Sequence, residues 1–133
     1  MKTHFLPHPS RLTQLKLWGL LLLWAGHPLP EAQLMVTEVM YHPQEQAGEE
    51  DTEKLEFIEL FNAGQKALSL EGLSFVEGVM FDFPTGAQLQ AGAYLIVAKN
   101  AQAIRDHYGI ENVMGNYEGS LDNNEETLRL VNA

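Results

Sequence analysis

Beyond Gln33, hydrophobic and polar positions mostly alternate with period two, the spacing of a strand with one face turned inward. "LMVTEVMY" (34–41) is apolar and β-branched and stops at His42-Pro43, which predicts a strand. "LEFIELF" (55–61) predicts a second. One of its faces carries Leu55, Phe57, Glu59 and Phe61 and the other Glu56, Ile58 and Leu60. Neither face is cleanly polar, so burial on both sides is expected for part of its length. "NAGQ" (62–65) supplies turn residues. "ALSLEGLSFVEG" (67–78) predicts two short strands kinked at Glu71-Gly72, and "VMFDFPTG" (79–86) an aromatic strand ended by Pro84 and a Thr85-Gly86 turn. After Gly92 comes the most apolar strand, Tyr94 to Ala98.

Asn100 then has the side chain of a helix N-cap, and "AQAIRDHYG" (101–109) fits about two turns, with Ile104 and Tyr108 on one face and Gly109 as the stop. The segment 111–126 reads as a long polar connection, and "TLRLV" (127–131) alternates again as a strand. Short strands at roughly ten-residue spacing with one brief helix predict an all-β sandwich. There is no βαβ alternation in this reading and no internal repeat.

The N-terminus follows a different pattern. Residues 1–16 are basic and free of acids, 17–26 ("LWGLLLLWAG") are apolar, and "HPLPEAQ" is polar with two prolines. This is the layout of a secretory signal, and the apolar run is short of the ~20 residues that span a bilayer. The expected organisation is a signal peptide over 1–32, cut after Ala32, followed by one sandwich domain over 33–133. An uncleaved anchor is the alternative; either way the membrane is touched only through this segment. Export places the protein outside the cytoplasm, secreted or at the cell surface. The chain has no cysteine, so core packing holds the fold without disulfides and no thiolate chemistry is available. The formal net charge of −10, with Lys2, Arg11 and Lys16 all in the leader, argues against nucleic acid as a partner.

Glu38, Glu56 and Glu59 are the carboxylates that invite an enzymatic reading. A hydrolase of the paired-carboxylate kind needs two such groups facing across a cleft with separated pKa values. The simpler expectation is strand glutamates that pair with Lys54 or Lys66 or cap a turn, and no nucleophile–base–orienter set accompanies them. The acidic segments Glu45–Glu53 and Asp122–Glu126 are the second candidate: Asp122, Asn124 and Glu126, at alternate positions, are conceivable Ca²⁺ ligands, although the spacing is not that of an EF-hand. His42 and His107 lack any zinc-binding pattern and are assigned to a turn and to helix packing. Phe57, Phe61, Phe75, Phe81, Phe83 and Tyr94 sit at strand positions and are assigned to the core. Tyr108 and Tyr117 are the aromatics placed to contact a protein or glycan if exposed.

The ordered segments "VTEVMYHP", "EFIELFNAG", "LSLEGLSF", "FDFPTGAQLQAGAYLIVAKN" and "GSLDNNEETLRLVNA" resemble the lamin tail domain, most closely its bacterial secreted versions, over nearly all of 34–133. The resemblance implies an immunoglobulin-like sandwich and no catalytic residues. It also implies that the last strand or strands of the family fold are missing here. The domain's usual company in such proteins is a kinase-like spore-coat-H module, a nuclease or other hydrolase, or carbohydrate-binding sandwiches. The expected function is therefore a non-catalytic binding or scaffolding module at the cell surface, the N-terminal part of a larger protein, with a protein or glycan partner. The alternatives are a Ca²⁺-binding structural spacer, an accessory domain of a secreted nuclease or hydrolase, or an enzyme built on Glu56 and Glu59.

Overall fold

The computed structural model describes residues 33–44, 51–125 and 127–132; the expected signal segment and Glu126 lie outside them. In chain order the elements are β1 (Leu34–Met40), a 3₁₀ turn (Glu53–Leu55), β2 (Phe57–Asn62), β3 (Leu68–Ser69), β4 (Leu73–Glu77), β5 (Phe81–Asp82), β6 (Gln88–Leu89), β7 (Tyr94–Ala98), α1 (Ala101–Tyr108), β8 (Val113–Gly115) and β9 (Arg129–Asn132). The strands form a four-stranded sheet in the order β1-β2-β7-β8, a pair β3-β6, and a three-stranded sheet β5-β4-β9. This is the all-β architecture the alternation predicts. The aromatic strand over 79–86 is much shorter than expected: its ladder with β4 covers only Phe81 and Asp82.

The main core lies between these sheets. Ile58, Leu60, Leu95 and Val97 project from the four-stranded sheet onto Leu70, Phe75, Val79, Phe83 and Leu89 from the others. A second cluster lies on the opposite face of the four-stranded sheet, where Phe57, Ile96, Ala98 and Val113 pack under Ala101 and Ile104 of α1. Both faces of β2 and β7 are thus covered over part of their length, which is why neither reads as a one-sided amphipathic strand. Helix α1 begins as its sequence dictates: Asn100 Oδ1 accepts from Ala103 N at 3.0 Å, and Gly109, at φ 68°, ends it in the left-handed conformation.

Two features depart from the sequence reading. β8 pairs with β7 in parallel, Ile96 opposite Val113, so β7, α1 and β8 form one βαβ unit inside an otherwise antiparallel fold. Parallel neighbours need a crossover of a dozen or more residues, and the stretch from Lys99 to Asn112, containing α1, provides it. The second is a bulge in β1. Met35 faces Phe61 and Val36 faces Leu60, but the register shifts so that Glu38, not Thr37, faces Glu59. The extra residue puts Met35, Glu38 and Met40 on one face, where strict alternation groups Met35 with Thr37 and Val39.

The connection over 111–126 is not a free loop up to Leu121. Tyr117 N donates to Ala98 O at 3.1 Å, Met80 and Glu118 exchange two backbone bonds of 2.9 Å, and Tyr117 and Leu121 enter the core. Gly115 makes this approach possible: a Cβ there would lie 2.6 Å from Ala98 O. Gly115→Ala is expected to lower stability by about 1–3 kcal/mol, because backbone rather than a flexible side chain must yield. Urea unfolding followed by circular dichroism measures it, and an unchanged midpoint would show that the strand end shifts freely.

Candidate functional site

Glu56 is the described carboxylate whose ionisation the fold perturbs most clearly. It precedes β2 on the side shared with Ile58 and Leu60 and is 3% exposed. Its Oε2 accepts from Leu121 N at 2.9 Å and from Tyr117 Oη at 3.1 Å. Burial pushes its pKa above the ordinary glutamate value, against the opposing pull of the Leu121 and Tyr117 bonds and the nearby Lys99 cation. Lys99 itself reaches over the Tyr117 ring, its Nζ 5.9 Å from the centroid, and donates to Gly119 O and to Ser120 Oγ at 2.7 Å. A raised carboxyl pKa marks many general acids. Here the group is sealed by its own chain, and both donors to Oε2 come from the connection it anchors. The chemistry available is structural: one carboxylate pins a loop 65 residues downstream.

The expected pairing of the strand glutamates with Lys54 or Lys66 is replaced by these bonds for Glu56. Glu59 takes Thr37 Oγ1 on its Oε1 at 2.7 Å. Glu56 and Glu59 fall on opposite faces of β2 and do not converge: Glu56 turns inward to Tyr117, Glu59 outward to Thr37.

Tyr117 is 3% exposed, so its assignment as a surface aromatic is corrected. Its phenol finds a buried acceptor in Glu56, a partner too distant in sequence to be legible. Tyr108 is exposed, and its ring meets Phe57 edge-to-face at 6.0 Å and His107 at 4.5 Å. His42 and His107 are both exposed along the rim of a cleft with Met40, Leu55 and Tyr108. Asp122 Oδ1 accepts from Asn124 N at 2.8 Å and from Asn124 Nδ2 at 3.2 Å, which closes a local turn. The two residues line a shallow cleft with Val39, Tyr41 and Leu128. The third candidate ligand, Glu126, lies outside the described residues, and among those described no group of three or more His, Asp or Glu gathers in a metal-binding arrangement.

The assignment of Tyr94 to the core is also corrected. It is 51% exposed, beside Phe61 at a centroid distance of 4.5 Å. Met35 completes this row: Met35 pairs with Phe61 and Phe61 with Tyr94, one residue from each of three adjacent strands, and Met35 is 46% exposed. The next rung carries Glu38 opposite Glu59, and the one after it Met40, Phe57 and Ala98, in the cluster under α1. At eight residues, about 12 Å, the helix covers one end of the sheet face and leaves the other bare. The sequence signal for this was the brevity of 101–109 set against five-residue strands.

No curated protein and no solved structure matches the chain. The family model of the Lamin Tail Domain matches residues 27–133. That span takes in every described element, agrees with the immunoglobulin-like all-β arrangement, and suggests a non-catalytic module. The chain belongs to the lamin tail domain family.

Proposed function

We propose that this chain is a non-catalytic binding or scaffolding module working outside the cytoplasm, as part of a larger secreted or surface protein. The observation that carries the reading is the in-register row of Met35, Phe61 and Tyr94 on the sheet face beyond α1, where Met35 and Tyr94 are 46% and 51% exposed. A methionine and two aromatics in register across three strands, open to solvent at Met35 and Tyr94, are what a binding module presents. Glu56, whose pKa burial raises, is consumed in holding the fold. The basic-then-apolar order of residues 1–26 supports export.

Export is tested by fusing the full chain to alkaline phosphatase, which matures only outside the reducing cytoplasm. Active reporter is expected, and its loss when Leu20 to Leu23 are replaced by asparagine. Equal activity with the substituted leader would overturn the localisation. The non-catalytic half fails if the purified chain turns over a polysaccharide, nucleic acid or peptide and Glu56→Gln abolishes that turnover.

A further inference from the structure

The bare half of the outer sheet face combines two features. The first is the Met35–Phe61–Tyr94 row, with its aromatic pair tilted by 32°. The second is the neighbouring rung, where Glu38 and Glu59 stand directly opposite each other on adjacent strands. Like charges in that position work against strand pairing. Among the described residues no basic side chain pairs with either; Arg129 and Glu77 form an ion pair at 3.1 Å on the other sheet. Thr37 Oγ1 orients Glu59 through its 2.7 Å bond without neutralising it. The bulge in β1 sets this arrangement, since without the register shift Glu38 would not share a face with Met35.

We propose that this face docks a cationic, extended protein segment, with an Arg or Lys side chain laid across the Phe61 and Tyr94 rings and its charge set against Glu38 and Glu59. The inference rests on the binding-module reading and names the partner's chemistry. Aromatic faces attract cations, and guanidinium groups stack on them. Two adjacent carboxylates supply the complementary charge, in a chain of net charge −10. The same charge disfavours polyanions and anionic bilayers. The bulge and Glu38 also guard the edge of β1, the outermost strand of its sheet among the described residues, against strand addition, so the face offers the more accessible surface.

The test is a titration of the ¹⁵N-labelled full chain with a synthetic peptide of alternating arginine and valine, with an alternating glutamate–valine peptide as control. Saturable shifts are expected at residues 35–38, 59–61 and 94 with the arginine peptide and none with the control. The double substitution Glu38→Gln, Glu59→Gln, and separately Tyr94→Ser, are each expected to weaken binding about tenfold. Glu118→Gln, which removes an exposed charge from the segment bridged to Met80, leaves it unchanged. Shifts scattered over the surface and weakened equally by Glu118→Gln would overturn the proposal in favour of net charge alone. Concentration-dependent shifts at the same residues without peptide would overturn it in favour of a second copy of the chain. If neutral oligosaccharides move these residues in a Tyr94-dependent way and the arginine peptide does not, the cationic partner is refuted and the binding module stands. If none of these probes moves the face, both readings lose their surface.

Discussion

Replacing Asn62 by leucine is expected to destabilise the protein by about 3–5 kcal/mol, a large share of the 5–15 kcal/mol typical of a domain. Asn62 is fully buried at the end of β2, where sequence suggests only a turn residue. Its Nδ2 donates to Lys66 O at 2.8 Å and to Leu89 O at 2.9 Å, and its Oδ1 accepts from Gly64 N at 2.9 Å. One side chain therefore closes the turn after β2 and ties it to β6, while its main chain bonds Gly92 and Ala93 before β7. Leucine keeps the branched shape but is bulkier and leaves three backbone partners unmet, and an unmet buried group costs about 1–3 kcal/mol. Asn62→Asp separates hydrogen bonding from shape. At neutral pH it keeps the acceptor and loses both donors, setting a carboxylate against two carbonyl oxygens; protonation restores one donor, so its deficit narrows on acidification. Urea unfolding of both variants at neutral and acid pH provides the measurement. A leucine variant as stable as the parent would mean that water or a shifted turn takes over the three bonds.

Asn62 also shows where reading the sequence runs out. Strands β1, β2, β4 and β7 and the ends of α1 are legible because local pattern and capping chemistry specify them: Asn100 and Gly109 act within one turn of themselves. The turn at Glu71-Gly72, with Gly72 at φ 80°, is likewise local. Long-range partners are not written locally. Asn62 meets Leu89, and Tyr117 meets Glu56 across 61 residues, so each looks like an ordinary polar or loop residue in its own window. β8 is three residues in a polar stretch, and what makes it a strand is the exposed-to-pairing edge of β7. The candidate site was half legible for the same reason. Phe61 and Tyr94 read as strand aromatics, but whether a helix covers them depends on where α1 lands, and the β1 bulge that brings Glu38 beside Met35 leaves no mark on the alternation.

Removing the Glu56 side chain as Glu56→Ala is expected to cost about 2–4 kcal/mol, because Leu121 N and Tyr117 Oη each lose a buried acceptor. The loss should be regional, freeing the connection between β8 and β9 first, so amide exchange at Leu121 should rise more than at Leu60 in β2. Glu56→Gln retains an acceptor and costs less, and it isolates the proton. Since burial raises the folded-state pKa of Glu56 above its unfolded value, the folded state holds this proton more tightly. The stabilising term is fully present below the unfolded value near 4.5 and is lost as pH rises through the folded pKa. The parent's stability relative to Glu56→Gln should therefore improve on going from neutral pH to about 4.5, whatever the other carboxylates do in both proteins. Tyr117→Phe removes a bond that favours the ionised form, so it should move this titration to still higher pH. A parent-to-glutamine difference that instead shrinks on acidification would mean that the Leu121 and Tyr117 bonds outweigh burial and that Glu56 is held as a carboxylate throughout.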